Sequence, residues 1–209
     1  MRQVNKETEP SSLARYRSNG GTRWDDYRDK QDAREALSKE QRRICAFCQG
    51  RIRPNEGDMK IAHVVPQSDP DEGAQLCLRW GNLVGSCKGG EGRPQTQRHC
   101  DTLQGNRRLP ALLHPVNFQT STIKYLASGQ VASDNQEIQQ ALDDIIGLNT
   151  EHLKQNRLDA LTAMRRMLPA QTWNAGLIAT YIRRLEDPHQ TELPEYVDFL
   201  LWWLKKRYR

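Results

Sequence analysis

The spacing of apolar residues changes along the chain and predicts regions of different construction. The first thirty residues are polar and charged, which predicts an N-terminal arm that is ordered only where it docks. Residues 31–43 lack glycine and proline and are rich in helix formers, so they predict a short helix. From 44 to about 115, glycine or proline recurs every few residues between short apolar runs, which is typical of a small unit that core burial alone does not stabilise.

The segment after Pro115 predicts a β-hairpin. Three apolar residues alternate with polar ones around a Ser128–Gly129 turn, namely Ile123, Tyr125 and Val131. This hairpin would begin a C-terminal region, 116–209, that is otherwise helical.

Apolar residues recur at helical spacing from about residue 136 onward. Asn149 or Thr150 is suited to cap the second of these helices, and Pro169 to end it. A third helix is expected over about 171–186, and a last one from Pro194 into the basic segment KKRYR, which suits the negative end of a helix dipole. The expected buried positions are Ile138, Leu142, Ile145 and Ile146; Leu153, Leu161, Met164 and Leu168; Trp173, Leu177, Ile178, Tyr181 and Leu185; and Tyr196, Phe199, Leu200 and Trp203.

Composition narrows the class of protein. With 36% hydrophobic residues among 209, a mean hydropathy of -0.84 and no apolar run of about 18 residues, the sequence predicts a soluble protein rather than a membrane protein. The N-terminus has no apolar stretch for a signal peptide, so a reducing cytoplasmic location is expected. The net charge of +5 suits a polyanionic partner without requiring one. Five cysteines in a reducing compartment call for a role other than disulfide bonding.

Cys45 and Cys48 form a C-x-x-C motif, a spacing that directs two thiolates at one tetrahedral ion from a tight turn. The same motif occurs in redox pairs, which favour a following helix. Here the next residues, 49–54, are typical of a turn into a strand, so zinc is the favoured interpretation.

A closed zinc site needs two more ligands. Cys87 and Cys100 are the natural candidates because each lies in a glycine-rich or basic loop. His99 is an alternative to Cys100 as the fourth ligand. Cys77 alternates with apolar neighbours and is better explained as a small buried hydrophobic residue.

His63 lies in the apolar, strand-like run IAHVVP, where an isolated histidine is usually a core residue. Its neighbours along the sequence change that interpretation. A C-x-x-C pair precedes it, and Asn82-Leu83, Cys87 and the segment His99-Cys100-Asp101 follow it. In order and spacing this arrangement resembles the HNH endonuclease family.

The resemblance extends beyond these motifs over nearly the whole chain, least clearly over the last forty residues. The arm with Trp24-Asp25-Asp26, the helix from Gln41 into CAFC, HCDTLQG and GLNTEHLKQNR are similar to the PtuB-type HNH proteins of Septu and retron-associated antiphage defence systems. It implies an α+β, mainly α fold: a zinc-stabilised ββα-metal nuclease core over 31–115, between the arm (1–30) and the C-terminal helical region (116–209).

The resemblance also implies an activity and partners. A metal-dependent HNH endonuclease would hydrolyse phosphodiester bonds of DNA or RNA, as the effector of an antiphage system. Its partners would be a Septu-type (PtuA-like) ATPase and, in the retron systems, a reverse transcriptase with its RNA–DNA product.

Site roles follow from the same resemblance. His63 would be the general base, because a near-neutral pKa lets imidazole take a proton from water. Asn82 would orient the His63 ring through a hydrogen bond. Asp101 would bind a catalytic Mg²⁺ or Mn²⁺, with His99 as a further candidate ligand, although a simple N-cap role also explains Asp101.

Two departures from the family pattern affect these expectations. Relatives often carry an acidic residue before the catalytic histidine, where this chain has Ala62. A long loop separates Cys87 from Cys100, and its cations suit phosphate contacts. The candidate substrate-binding residues are Lys88, Arg93, Arg98, Asn106 and Arg107.

Two alternative functions therefore remain. The loss of a carboxylate at Ala62 leaves room for a zinc-stabilised nucleic-acid-binding or adaptor module without hydrolytic activity. The C-x-x-C motif leaves room for a thiol redox protein. Near the end of the chain, Trp202, Trp203 and Tyr208 are either core residues or an anchor for a partner protein, in which case truncation of 194–209 would lower partner binding more than zinc content.

Overall fold

The computed structural model describes residues 1–167 and 174–207. The fold is α+β, as predicted, with two small antiparallel sheets among the helices. The helices are α1 (Ser11–Ser18), α2 (Lys30–Glu40), α3 (Gly73–Leu76), α4 (Cys100–Gln104), α5 (Gln136–Gln140, continued by a π-helical turn over Ala141–Ile145), α6 (Glu151–Met167), α7 (Ala175–Glu186) and α8 (Val197–Arg207). The strands are β1 (Met59–His63), β2 (Leu83–Cys87), β3 (Lys124–Tyr125) and β4 (Val131–Ala132).

The antiparallel pair β1–β2 positions the candidate site. His63, the last residue of β1, lies opposite Leu83, and Met59 lies opposite Cys87. Helix α4 packs on β2, and α2 packs on both strands. A short helix therefore follows the hairpin and lies against it.

The buried side chain of Gln41 fastens the end of α2 to β2. Its Nε2 donates to the carbonyl oxygens of Gly85 (2.8 Å) and Ile44 (3.0 Å), and its Oε1 accepts from the Gly85 backbone N–H at 2.6 Å. A side chain at Gly85 would meet the Cε atom of Met59 at 2.5 Å and the Gln41 Nε2 atom at 3.2 Å, so these side chains would have to shift to accommodate it.

The N-terminal arm docks along much of its length. It contains α1 and a 3₁₀ turn over Trp24–Asp26, and it buries Val4, Leu13, Trp24 and Tyr27 in the same core cluster as the hairpin. The sequence predicts an arm that is ordered only where it docks. In the structure, a few apolar residues spaced among polar ones dock much of the arm.

The predicted hairpin after Pro115 is present as β3–β4, with Gly129 at φ +80° in its turn. Asn149, a predicted helix cap, bonds to Val131 instead: its Oδ1 accepts from the Val131 N–H and its Nδ2 donates to the Val131 carbonyl, both at 2.8 Å. The Asn149 side chain thereby satisfies the backbone N–H and carbonyl of Val131 on the side of β4 that faces away from β3.

The C-terminal helices largely match the expected burial. Leu177, in the first turn of α7, is an exception and is exposed, although Ile178 beside it is buried. Trp203 is only half-buried on α8. The predictions for Leu168, Pro169, Trp173 and Tyr208 lie outside the described residues.

Arg157 is the largest fully buried side chain of the described chain, at 2% exposure. Its guanidinium donates to the carbonyl oxygens of Gly129 (2.8 Å) and Leu148 (2.9 Å). Burial lowers the pKa of Arg157, while the nearby Tyr125 and Cys48 raise it. The side chain joins the β3–β4 turn to the segment before α6.

One hydrophobic cluster joins the arm, the β1–β2 hairpin and the C-terminal helices. Across the described ranges, every helix falls short of the length and apolar character that a bilayer crossing demands.

Candidate metal centre and catalytic histidine

Four cysteine sulfurs converge between the C-x-x-C turn, the end of β2 and the start of α4. The Sγ atoms of Cys45, Cys48, Cys87 and Cys100 all lie within 4.8 Å of one another. Three of the separations are 3.7–3.8 Å. A tetrahedral zinc ion with Zn–S bonds of about 2.3 Å sets S–S edges of about 3.8 Å, whereas a disulfide needs about 2.05 Å. The sulfurs therefore have the spacing of a tetrathiolate metal site.

Backbone hydrogen bonds shape the C-x-x-C turn. The Cys45 N–H donates to the Gly50 carbonyl at 2.9 Å, and the Gln49 N–H donates to the Cys45 carbonyl at 3.1 Å. The Gly50 N–H donates to Cys48 Sγ at 3.3 Å, which favours the thiolate form of that sulfur. Gln49 adopts a positive φ of 68°, which closes the turn.

The fourth cysteine comes from the first residue of α4. Cys100 has φ +54°, and its backbone N–H donates to the carbonyl of Ile146 at 2.8 Å. Gly147 packs so closely that an added Cβ would lie 2.8 Å from the Arg98 carbonyl oxygen. The C-terminal region thus holds the helix that carries this ligand.

The pKa values of two cluster thiols shift in opposite directions. Hydrogen bonds from the neighbouring thiols, led by Cys100, lower the pKa of Cys48. Burial raises the pKa of Cys100. In this cluster the other thiols donate hydrogen bonds to one thiolate. Those thiols must release their protons when a metal ion binds, so the metal affinity depends on pH.

The two alternative ligands lie at different distances from this cluster. Cys77 is buried elsewhere, with its Sγ donating to the Ala74 carbonyl at 3.2 Å, as expected for a small apolar residue. His99 Nδ1 lies 3.2 Å from Cys100 Sγ and 3.9 Å from Cys87 Sγ. The sequence predicts His99 either as the alternative to Cys100 or as a ligand of a second ion beside Asp101. In the structure His99 borders the thiol cluster, in which Cys100 is the fourth sulfur.

His63 is 9% exposed at the end of β1. Its Nε2 is 2.9 Å from the carbonyl oxygen of Cys77. A carbonyl can only accept, so Nε2 carries the proton and Nδ1 keeps its lone pair in the neutral ring. Burial lowers the pKa of His63, opposed by this hydrogen bond and by the charge of Asp25. The neutral, basic tautomer is thereby favoured near pH 7.

Trp24 is a neighbour of His63. In the sequence Trp24 belongs to the motifs of the family resemblance, and nothing there connects it with His63. The two rings meet edge to face, with centroids 5.3 Å apart and an interplanar angle of 82°. The Nζ of Lys30 lies 5.7 Å from the centroid of the Trp24 ring. Trp24 thus covers the candidate base with the docked arm, a contact between residues 39 positions apart that no local pattern reveals.

Asn82 bonds to the loop between the hairpin strands, not to the His63 ring as predicted. Its Oδ1 accepts from the Val65 N–H at 2.8 Å, and its Nδ2 donates to the carbonyls of Val65 (3.0 Å) and Leu76 (3.3 Å). Leu76 directly precedes Cys77, whose carbonyl bonds to the His63 ring, so Asn82 acts on the ring through the backbone.

Asp101, on the first turn of α4, shares the ammonium of Lys60 with Glu91. The Nζ of Lys60 lies 3.7 Å from Asp101 Oδ2 and 3.1 Å from Glu91 Oε1. Burial raises the pKa of Asp101, and Lys60 opposes that rise. Among residues 1–167 and 174–207, the four cysteines are the one group of three or more His, Cys, Asp or Glu side chains able to hold a metal. Glu91 is a carboxylate near Asp101 that sequence reasoning missed.

The predicted phosphate contacts differ in their surroundings. Lys88 pairs with Glu91 at 3.0 Å, and Arg98 donates to the Arg93 carbonyl at 2.8 Å. Arg93 and Asn106 are exposed.

Arg107 is also predicted to contact phosphate. In the structure its guanidinium donates hydrogen bonds to backbone carbonyls. It donates to Asp144 at 2.6 Å, and further to Leu103, Gln104 and Ile145. These carbonyls end α4 and the π-helical turn, where a cation is favourable. Arg107 therefore joins two helix ends.

Helix α8 is tied to the C-x-x-C turn through Gln49. The Tyr196 N–H donates to the Gln49 carbonyl at 3.0 Å, and the Asp198 N–H donates to Gln49 Oε1 at 3.1 Å. In return, Gln49 Nε2 donates to Asp198 Oδ2 at 2.6 Å. The start of α8 thus supports the metal-binding turn, a contact that nothing in the sequence pattern predicts.

No protein-family model matches this chain, and no curated protein matches it.

Proposed function

We propose that the protein is a metal-dependent endonuclease of the HNH type, in which His63 activates water for attack on a phosphodiester. The observation that carries the proposal is the 2.9 Å contact between His63 Nε2 and the Cys77 carbonyl. It fixes the tautomer that a general base needs, at the end of a hairpin followed by a short helix. Along the chain, the C-x-x-C pair precedes the hairpin and the second cysteine pair leads into the helix, which is the order of the family that the sequence resembles.

The thiol cluster would hold a structural zinc ion through Cys45, Cys48, Cys87 and Cys100. Four thiolates close the coordination shell, so such an ion contributes to folding and leaves no position for a reacting water. In this proposal zinc fixes β2 and α4 relative to each other, and thereby the hairpin end that carries His63.

The catalytic Mg²⁺ or Mn²⁺ would be held by Asp101, with substrate phosphate and waters completing its shell, as is usual for Mg²⁺. When bound, the ion would neutralise charge on the leaving oxygen. The donor set fits only if the Lys60 ammonium moves away from Asp101, because it already compensates the charge of that carboxylate. Ala62 adds no carboxylate, and Glu91 is the nearest acidic neighbour across Lys60.

We further propose, from the sequence resemblance, that the nuclease is the effector of an antiphage system. Its partners would be a Septu-type ATPase and, where the system includes one, a retron reverse transcriptase with its product. Co-purification with the ATPase encoded beside it, followed by cleavage assays on phage and host nucleic acids, tests this assignment.

Plasmid nicking by the zinc-loaded protein, with Mg²⁺ or Mn²⁺ added, tests the nuclease directly. We expect His63→Ala to lower cleavage by at least about 100-fold, the usual contribution of general-base catalysis. His189→Ala is the matched control, because His189 is exposed and should retain full activity. Equal cleavage by the His63→Ala and wild-type proteins would refute the assignment of the base.

The pairing of Lys60 with Asp101 and Glu91 favours a second candidate, a zinc-stabilised nucleic-acid-binding module without hydrolytic activity. Here the Lys60 ammonium would stay beside Asp101 and compensate its charge in place of a catalytic metal ion. Tight binding of DNA or RNA with no cleavage in Mg²⁺, Mn²⁺ or the partner complex would establish this function instead.

A further inference from the structure

A cleft with two lobes runs beside the first residues of the chain. One lobe has a volume of about 320 Å³ and lies between residues 2–7, the end of α2 and residues 188–193. The other has a volume of about 500 Å³ and lies against α8 and β3. Arg2, Gln3, Asn5 and Arg42 line both lobes, so the two lobes meet there. Each volume lies in the range of small-molecule sites, about 300–1,000 Å³.

Two guanidinium groups stand at the junction of the lobes. Arg2 Nη1 donates to Asp198 Oδ1 at 3.2 Å, and Asp198 also accepts a hydrogen bond from Gln49. Arg42 Nη1 donates to the carbonyl oxygen of Asp187 at 2.9 Å, which within the described ranges is its one side-chain hydrogen bond. Arg2 thus pairs with the Asp198 carboxylate, whereas Arg42 bonds to a backbone carbonyl and forms no ion pair with a described carboxylate.

The position of Arg42 is fixed by the backbone. Arg42 has φ +51°, a conformation that side-chain-bearing residues rarely adopt, and its carbonyl accepts from the Leu193 N–H at 3.1 Å. Burial lowers the pKa of Arg42, and the charge of Arg2 lowers it further, while the charge of Asp187 raises it. A rigid backbone therefore holds two like charges near each other, an arrangement that an anion would stabilise.

The larger lobe adds an apolar wall beside these cations. Ile123, Leu201 and Trp202 line it, and Trp202 is held in place by stacking on Phe199 at 5.6 Å between centroids. The exposed amide side chains of Gln3 and Asn5 offer hydrogen-bond donors and acceptors at the junction. The cleft thus combines cationic groups that suit an anion, polar amide groups and an apolar surface.

We propose that this cleft binds a nucleoside phosphate, with its phosphate on Arg2 and Arg42 and its nucleoside against the apolar wall. Inorganic phosphate would use only the first of these features, and an apolar ligand only the second. The site does not include His63 or Asp101, so it is independent of the proposed nuclease function. The same chemical group occurs in a free nucleotide and at the 5′-phosphorylated end of a strand.

Calorimetric titration of the zinc-loaded full chain tests the proposal, with ADP, GDP, adenosine and pyrophosphate as probes and no divalent ion added. We expect a nucleoside diphosphate to bind at least about tenfold more tightly than pyrophosphate or adenosine, because only it engages both features. Arg42→Ala should weaken nucleotide binding at least about tenfold, as expected for the loss of charge-assisted hydrogen bonds. Arg15→Ala, an equal charge change at an exposed position on α1, should leave it unchanged.

Arg2→Ala serves as a second variant if Arg42→Ala loses zinc or folds poorly, and it should show the same weakening. A 5′-phosphorylated dinucleotide competing with ADP identifies the source of the ligand, and tighter binding of either one supports the site. Absence of nucleotide binding, equal binding of pyrophosphate and ADP, or full affinity in both folded arginine variants would overturn the proposal.

Discussion

The Asn82 side chain and the Val65 backbone exchange two hydrogen bonds that run in opposite directions, at 2.8 and 3.0 Å. The pair closes the long connection between β1 and β2, and a third bond from Asn82 reaches the Leu76 carbonyl. The segment between them carries Cys77, whose carbonyl holds His63. Asn82 is therefore a positioning residue for the candidate base.

Asn82→Ala should lower the free energy of unfolding by about 2–4 kcal/mol, because it removes three hydrogen bonds and leaves buried backbone groups unpaired. Urea unfolding monitored by circular dichroism measures the change. Asn106→Ala, at an exposed position, should change stability by less than about 0.5 kcal/mol. A loss of cleavage in Asn82→Ala without any loss of stability would argue for direct contact with substrate instead.

Removal of one cluster thiol should abolish stoichiometric zinc binding. Cys48→Ser is expected to hold far less than one zinc ion per chain and to melt at a lower temperature, because structural zinc contributes folding free energy. Metal analysis and thermal unfolding measure both effects. Cys77→Ser is the matched control, because that thiol lies outside the cluster and should leave the zinc content at one per chain. Zinc loss in both variants would point to general misfolding.

The pH dependence of cleavage should follow His63. Burial lowers its pKa below the ordinary value of 6.5, so the ring stays neutral, and able to accept a proton, to a lower pH than an exposed histidine. Cleavage should therefore fall only as the pH drops below about 6.5, with the midpoint at the lowered pKa. The stability contributed by the neutral ring is lost in the same direction, because the unfolded chain takes up the proton more readily. A rate that declines already between pH 8 and 7 would contradict this role.

Arg157→Met should lower the free energy of unfolding by about 2–5 kcal/mol. The change leaves the buried carbonyls of Gly129 and Leu148 without their donors, and methionine only partly fills the space. Arg166→Met, at an exposed position of the same helix, should have little effect and is the comparison for denaturant unfolding. Equal effects of the two substitutions would show that the buried hydrogen bonds contribute no net stability.

Truncation after Leu193 should remove zinc together with α8. The sequence led to the opposite expectation, that residues 194–209 serve a partner more than the metal site. The structure instead places Tyr196 and Asp198 on Gln49, inside the C-x-x-C turn. Metal analysis of the truncated chain checks this, and a truncated protein with one zinc ion per chain would restore the original expectation.

Much of the local structure could be predicted because it depends on local pattern. The C-x-x-C spacing, the alternation in 122–133 and the helical repeats beyond 136 each specify an element within a few residues. The four cysteines could be predicted to form one site because a C-x-x-C pair needs two further ligands to close a zinc site. Cys77 could be set aside because its neighbours are apolar.

The remaining features depend on contacts between distant residues. The edge-to-face contact of Trp24 with His63, the support of Gln49 by α8 and the Lys60–Glu91–Asp101 group each join segments that no short pattern links. Arg107 has the same charge as a phosphate-binding arginine, and only its position beside two helix ends shows that backbone carbonyls engage it. Residue type alone does not distinguish these roles.

The support of the C-x-x-C turn by α8 has a consequence for biosynthesis. A nascent chain that has reached residue 193 already carries all four cluster thiols, yet it lacks the residues that hold Gln49 in place. Metal binding would then depend on the completion of α8. A chain that stops before α8 would lack the contacts that position its metal site.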